Sequence, residues 1–203
     1  MNGKLPFTDI LGRQIGAGGE KRCFLNALNN KRCIKISNKR NCVQIRREIE
    51  YFSFIKNKNI VASFVPEFYR VLETSEWIGY EQECILGREK GGVYLQACPL
   101  GEFISNPNND ENLIRRELLN LKEEMYSKNV IYCDLNEYNV IRAQDENGSR
   151  LIVIDGFGAP EFIPICKYVK FFGRKKIERQ WRRFELRLKP YFLRRQDLQV
   201  KNN

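Results

Sequence analysis

A short polar loop held between two hydrophobic runs constrains this chain more than any other segment. Val130-Ile-Tyr-Cys leads into Asp134, Asn139 follows five residues later, and Val140-Ile141 closes the loop. A second run, Ile152-Val-Ile154, delivers Asp155 and then Gly-Phe-Gly158. Apolar, β-prone residues on both sides anchor such a loop in a core and leave its polar groups at an edge. The polar set is a carboxylate that can take a hydroxyl proton or orient a nucleophile, a neutral amide oxygen, and a second carboxylate. The last two suit a hard divalent cation that prefers oxygen ligands.

The chain around this loop can build a core. Its 203 residues are 42% hydrophobic and 12% aromatic, enough for one domain or two lobes sharing a cleft, and too apolar for global disorder. No apolar run approaches the roughly 18 residues that a membrane span requires. Met1–Asp9 lacks the continuous hydrophobic stretch of a secretory signal. A cytoplasmic location is expected, peripheral at the inner membrane at most. Seven cysteines, no CxxC pair and no histidine favour reduced, mostly buried thiols over structural zinc.

Charge is unevenly placed. Residues 1–165 hold 22 basic and 22 acidic side chains, whereas residues 166–203 hold 13 basic and 3 acidic ones, so the last segment carries the whole formal charge of +10. This is a local footprint for phosphate, lipid headgroup or nucleic acid.

Leu11–Leu25 reads as strand, glycine turn, strand, and Asn29-Asn30 as a two-residue turn into Arg32–Ile36. Val43, Arg47, Glu50, Tyr51 and Phe54 fall at helical spacing. Phe68–Leu72 and Trp77–Leu86 complete an antiparallel sheet, with Gly87 as its stop and residues 88–92 as a crossing. Asn106–Asp110 is a loop and cap before a helix over 111–128. A short strand near 130–133, a hairpin turned at Asp145–Gly148, and a partly helical 166–195 follow. There Phe171, Phe172, Trp181 and Phe184 are expected to pack inward. Lys170–Lys176 also reads as a membrane-surface segment, with apolar rings beside cations.

Gly16, Gly18 and Gly19 would let backbone N–H groups approach phosphates. The segment is no Walker A loop, because no Gly-Lys-Ser/Thr follows, and no dinucleotide fingerprint, because a strand succeeds it. Lys35 lies nineteen residues after Gly16 on a strand, where it could reach nucleotide phosphates or simply be a surface lysine. Glu48 and Glu50 compete as its partner on the following helix.

Taken in order, these residues resemble the protein-kinase-like superfamily, and more closely the small bacterial YrbL family of the PhoP regulatory network. The resemblance runs from Gly16–Phe24 through Arg32–Ile36, Arg46–Tyr51, the catalytic loop and Asp155–Gly158 to Ile163-Pro164 and the basic, Trp-containing Arg174–Phe184. It implies an α+β, compact two-lobed fold, with an antiparallel-sheet N-lobe over 1–86 and a reduced, mainly helical C-lobe over 87–203. It implies ATP and Mg²⁺ as cofactors. Lys35 would be the phosphate-contacting lysine and Glu48 its helix partner, and Asp134 the catalytic base. Asn139 and Asp155 would be the metal ligands, and Glu81–Cys84 the adenine-contacting hinge, with Glu83 and Cys84 in contact.

The departures are specific. Tyr132-Cys133 replaces the usual His-Arg, Asn136 replaces a lysine two residues after the catalytic aspartate, and an extra glycine separates Asp155 from Phe157. The family includes members without the catalytic aspartate, which this chain retains. Ala159-Pro-Glu161 follows so closely that no room remains for an activation segment, favouring a small-molecule, sugar or glycan acceptor, such as a lipopolysaccharide-core sugar, over a protein. The basic end would recruit an acidic acceptor, an anionic membrane surface or a protein partner. The rivals are an ATP-binding pseudokinase and a polyanion-binding module. Specific nucleic-acid binding has no motif in its favour.

Overall fold

The computed structural model describes residues 7–158 and 165–201. Ala159-Pro-Glu161 and Ile163-Pro164 lie outside them. Five strands, β1 (Leu11–Ala17), β2 (Arg22–Asn26), β3 (Arg32–Asn38), β4 (Phe68–Glu73) and β5 (Trp77–Glu83), form an antiparallel sheet in the order β1-β2-β3-β5-β4. Helix α1 (Val43–Asn57) crosses between β3 and β4. A second antiparallel sheet joins β6 (Gln96–Pro99), β7 (Val140–Asp145) and β8 (Gly148–Val153). Around it lie α2 (Leu100–Ser105), α3 (Glu111–Lys128), α4 (Ile165–Tyr168) and the 32-residue α5 (Lys170–Lys201). The fold is α+β, sheet-rich in its N-terminal part and more helical in its C-terminal part, consistent with a two-lobed kinase-like architecture.

Where local chemistry is strong, the elements follow it. Asp110 caps α3 by accepting from the Asn112 N–H at 2.9 Å, and the helix ends at Asn129, whose positive φ suits a left-handed cap. Elsewhere the structure corrects the sequence. The β2–β3 connection is a longer turn over residues 27–31, not two residues. Strand β5 stops at Glu83 instead of running to Leu86, so Gly87 opens a short 3₁₀ turn over Arg88–Lys90. Residues 130–133 form no strand and contribute one bridge, Tyr132 to Phe157.

Helix α1 turns a different face inward. Val43 and Glu50 are exposed, while Ile45, Glu48, Tyr51, Phe52 and Ile55 are buried. Glu48 belongs to the buried face despite its charge, since its carboxylate is satisfied inside the core.

One core cluster runs from α1 and β5 (Tyr51, Phe52, Tyr80) through Tyr132 and Phe157 to Trp181 and Phe184 of α5. Phe157 is fully buried, with ring centroids 4.5 Å from Phe52 and 4.8 Å from Tyr132. Burying a side chain of this size contributes about 1.5–3 kcal/mol. Trp181 and Phe184 pack inward as expected, but Phe171 and Phe172 stand exposed. Helix α5 is pinned farther on by buried Arg195, which donates to the carbonyls of Asn106 and Asn109 and to that of Pro107 at 3.2 Å. Gly101 of α2 lies so close to Tyr191 that a Cβ would sit 2.7 Å from its ring. No helix among the described residues is long and apolar enough to cross a membrane.

Candidate active site

A cleft of about 440 Å³ opens between the two sheets, within the range of small-molecule sites. Gly16, Gly18 and Gly19 line it from the β1–β2 hairpin, Lys35 from β3, and Cys84 from the end of β5. Asn139 and Asp155 line its far side. Segments up to 139 residues apart thus converge on one space. Three expected residues do not line it. Glu48 is fully buried behind it, Asp134 stands outside its lining with a half-exposed side chain, and Glu83 turns its carboxylate away to Tyr94 and to Arg150, 3.1 Å off.

The backbone groups of the expected hinge are already engaged. The N–H groups of Glu83 and Cys84 are taken by the carbonyls of Glu67 and Lys31, each at 2.8 Å. Ile85, also in the cleft wall, makes no backbone hydrogen bond among the described residues.

Two lysines and two carboxylates meet at the deep end. Lys35 donates to the Ile154 carbonyl at 2.5 Å and lies 3.8 Å from Asp155. The expected Lys35–Glu48 ion pair is not made. Lys21 instead bridges the two carboxylates, 2.7 Å from Glu48 and in direct contact with Asp155. Glu48 is further held by the Tyr80 hydroxyl at 2.9 Å and the Gly156 N–H at 3.0 Å, so both its oxygens are occupied.

The fields at this end are strong. Burial raises the Glu48 carboxyl above its ordinary range, and its hydrogen bond with Asp155 adds to that, against the charge of Lys35. Burial also acts upward on Asp155, but the Lys35 charge, the Glu48 hydrogen bond and Lys21 together hold it well below the usual carboxylate value. For Lys35, burial acts downward, and the charges of Asp155 and Glu48 outweigh it, leaving the ammonium strongly favoured.

The other end is open. Asn139 donates through Nδ2 to the Asp134 carbonyl at 3.1 Å, which leaves its amide oxygen for another partner. Asp134 is paired across its exposed edge with Arg187 of α5 at 3.3 Å. The added glycine has a steric reason. Gly156 has φ +80°, and a Cβ there would lie 3.0 Å from the Asp134 carbonyl oxygen, so only glycine lets the two aspartate segments run this close. The contact is fixed by the Cys133 N–H donating to the Gly156 carbonyl at 2.8 Å.

Among the described residues no three Cys, Asp or Glu side chains are grouped closely enough to hold a metal by themselves. Magnesium in nucleotide sites takes one or two protein ligands, with phosphates and water completing the shell. One carboxylate, Asp155, and one amide oxygen, Asn139, in the same cleft fit that demand.

Sequence reasoning missed Lys21 and Arg187. Lys21 has the same parity as Cys23 at the start of β2, and both line the cleft, so alternation carried a usable signal. Arg187 is 53 residues from Asp134 and had no local signal.

The family described as "PhoP regulatory network protein YrbL" matches residues 12–189. The proteins called "Uncharacterized protein YrbL" in Escherichia coli (strain K12) and Shigella flexneri are each 24% identical over 176 residues, spanning 84% of this chain and 82% of theirs. The chain belongs to the YrbL family.

Proposed function

We propose that this YrbL-family chain is an ATP- and magnesium-dependent phosphotransferase acting on a hydroxyl acceptor. The broader placement among protein-kinase-like enzymes is part of the same reading. One observation carries it: the glycine hairpin, Lys35, Asn139 and Asp155 share a single cleft, with Asp134 next to it. The adenine would lie along Cys84, Ile85 and Leu86, with Ile85 offering the backbone contacts. Lys35 would hold the phosphates, its ammonium kept charged by Asp155 and Glu48. Asp155 and Asn139 would hold magnesium, which when bound neutralises charge on the phosphoryl group being transferred.

Asp134 would orient the acceptor hydroxyl and take its proton. Arg187 supplies on this side the positive charge that Asn136 lacks, from a helix instead of from the loop. The exposed mouth and the cations of α5 favour an anionic small molecule, sugar or glycan, with phosphorylated lipopolysaccharide-core sugars in that class.

A second reading has its own observation. Lys21 contacts one carboxylate oxygen of Asp155, Oδ1, and would compete there with a metal, an arrangement that suits a pseudokinase binding ATP without transfer. Purified protein incubated with γ-labelled ATP, magnesium and a cell-envelope extract separates the two. The first reading expects label transfer that Asp134→Asn and Asp155→Ala both abolish. ATP binding without transfer would favour the pseudokinase, and neither binding nor transfer would defeat both.

A further inference from the structure

The start of the C-terminal helical region bears a concentrated apolar surface. Ile165, Tyr168, Val169, Phe171 and Phe172 are all exposed, Tyr168 to 62% and Phe171 to 59%. They fall within eight consecutive residues, whereas the other exposed large apolar side chains are scattered along the chain. Phe171 and Phe172 pack edge to face at 5.4 Å, and Tyr168 meets Phe54 of α1 at 5.5 Å. This contrasts with Trp181 and Phe184, about two and a half to three and a half turns later on α5, which are buried.

Cations stand among these rings. Lys175 lies 4.4 Å from the Phe171 centroid, and Lys167 lies 5.1 Å from that of Tyr168 and 5.3 Å from that of Phe54. Lys170 is exposed between them. Residues 165–177 contain no acidic side chain. Exposed aromatics interleaved with lysines, without acids, are the chemistry of a surface that enters the headgroup layer of an anionic bilayer.

We propose that residues 165–175 dock the protein peripherally on an anionic lipid surface, with the rings at headgroup depth and the lysines against lipid phosphates. The alternatives fit less well. A second copy would bring an equally basic surface against this one, and lysine is depleted from the centres of protein interfaces. Base stacking needs free ring faces, and Lys175 already lies close to Phe171. The docking does not depend on the phosphotransferase reading. If that reading holds, Arg187 lies fifteen positions beyond Phe172 on the same helix, ~22 Å along it, so the acceptor side and the docking segment would be separate surfaces.

The test is flotation of the full-length protein with vesicles of phosphatidylcholine alone, or of phosphatidylcholine containing about one third phosphatidylglycerol. The protein should float with the anionic vesicles only. Phe171→Ser with Phe172→Ser should lower partitioning about tenfold or more. Lys170→Gln with Lys175→Gln should lower it several-fold while leaving the rings in place. Unchanged melting temperatures would certify both folds, and the lysine pair serves if the serine pair unfolds. Absence of flotation would overturn the proposal, as would flotation indifferent to both pairs of substitutions. So would self-association, or tight binding of a single-stranded oligonucleotide, abolished by the same serines.

Discussion

The two ends of the cleft are built differently. At the deep end Lys21, Lys35, Glu48 and Asp155 form a network in which every charge has an opposite partner and Glu48 is wholly enclosed. At the mouth Asp134 and Arg187 meet across a surface where both side chains are about half exposed. A buried network is rigid and costly to break, whereas an exposed pair is worth about 0–1 kcal/mol and opens readily. On the proposed reading the two ends would divide the work, the deep end holding the nucleotide and the mouth receiving the acceptor.

Breaking the deep end should have the largest consequences. Glu48→Ala removes one of the two carboxylates that hold Lys21 and the acceptor for Tyr80 and the Gly156 N–H, and should destabilise the fold by about 1–3 kcal/mol for each buried donor left unsatisfied. Its melting temperature, beside that of the exposed-position variant Glu50→Ala, checks this, and equal values would mean that the network carries no structural load. Next, on the proposed reading, Asp134→Asn should reduce turnover about 10²–10⁴-fold while leaving ATP affinity nearly intact, since Asp134 does not line the cleft.

Arg187→Ala should have a smaller effect, raising the acceptor KM about two- to fivefold with kcat less affected, in keeping with one exposed charge. Arg187→Lys should recover part of the loss. A change confined to ATP affinity would place Arg187 at the wrong end. Smallest of all should be the response to alkali. Because the Lys35 pKa is raised in the folded protein, its stabilising charge is complete below its ordinary value of about 10.4 and is lost only above that. ATP affinity should therefore show no break attributable to Lys35 between about pH 7.5 and about pH 9.5.

The same contrast governs what could be read from the chain. That Asn139 and Asp155 would face one cleft was legible because hydrophobic runs on either side fix where such residues must lie, whereas Asp134 falls outside its lining. Helix α3 was legible because Asp110 caps a long, strongly helical stretch. The partner of Glu48 was not, because Lys21, just before β2, and Lys35, on neighbouring β3, both lie near it, and which ammonium reaches the carboxylate depends on side-chain geometry that spacing does not encode. Arg187 was hidden for another reason. Its contact is made by the way α5 packs, with Gly101 admitting Tyr191 and Arg195 gathering the carbonyls of the 106–109 loop. At the basic end the inward packing expected of four rings holds for Trp181 and Phe184 only, and Phe171 and Phe172 stand exposed.

The division of labour between the two ends is tested most directly by ATP affinity, with and without magnesium, in the parent, Asp155→Ala and Asp134→Asn proteins. Magnesium should tighten ATP binding in the parent and in Asp134→Asn, and should have no such effect in Asp155→Ala. A magnesium effect that survives in Asp155→Ala, or that Asp134→Asn removes as completely, would contradict the assignment of the nucleotide to the deep end and the acceptor to the mouth.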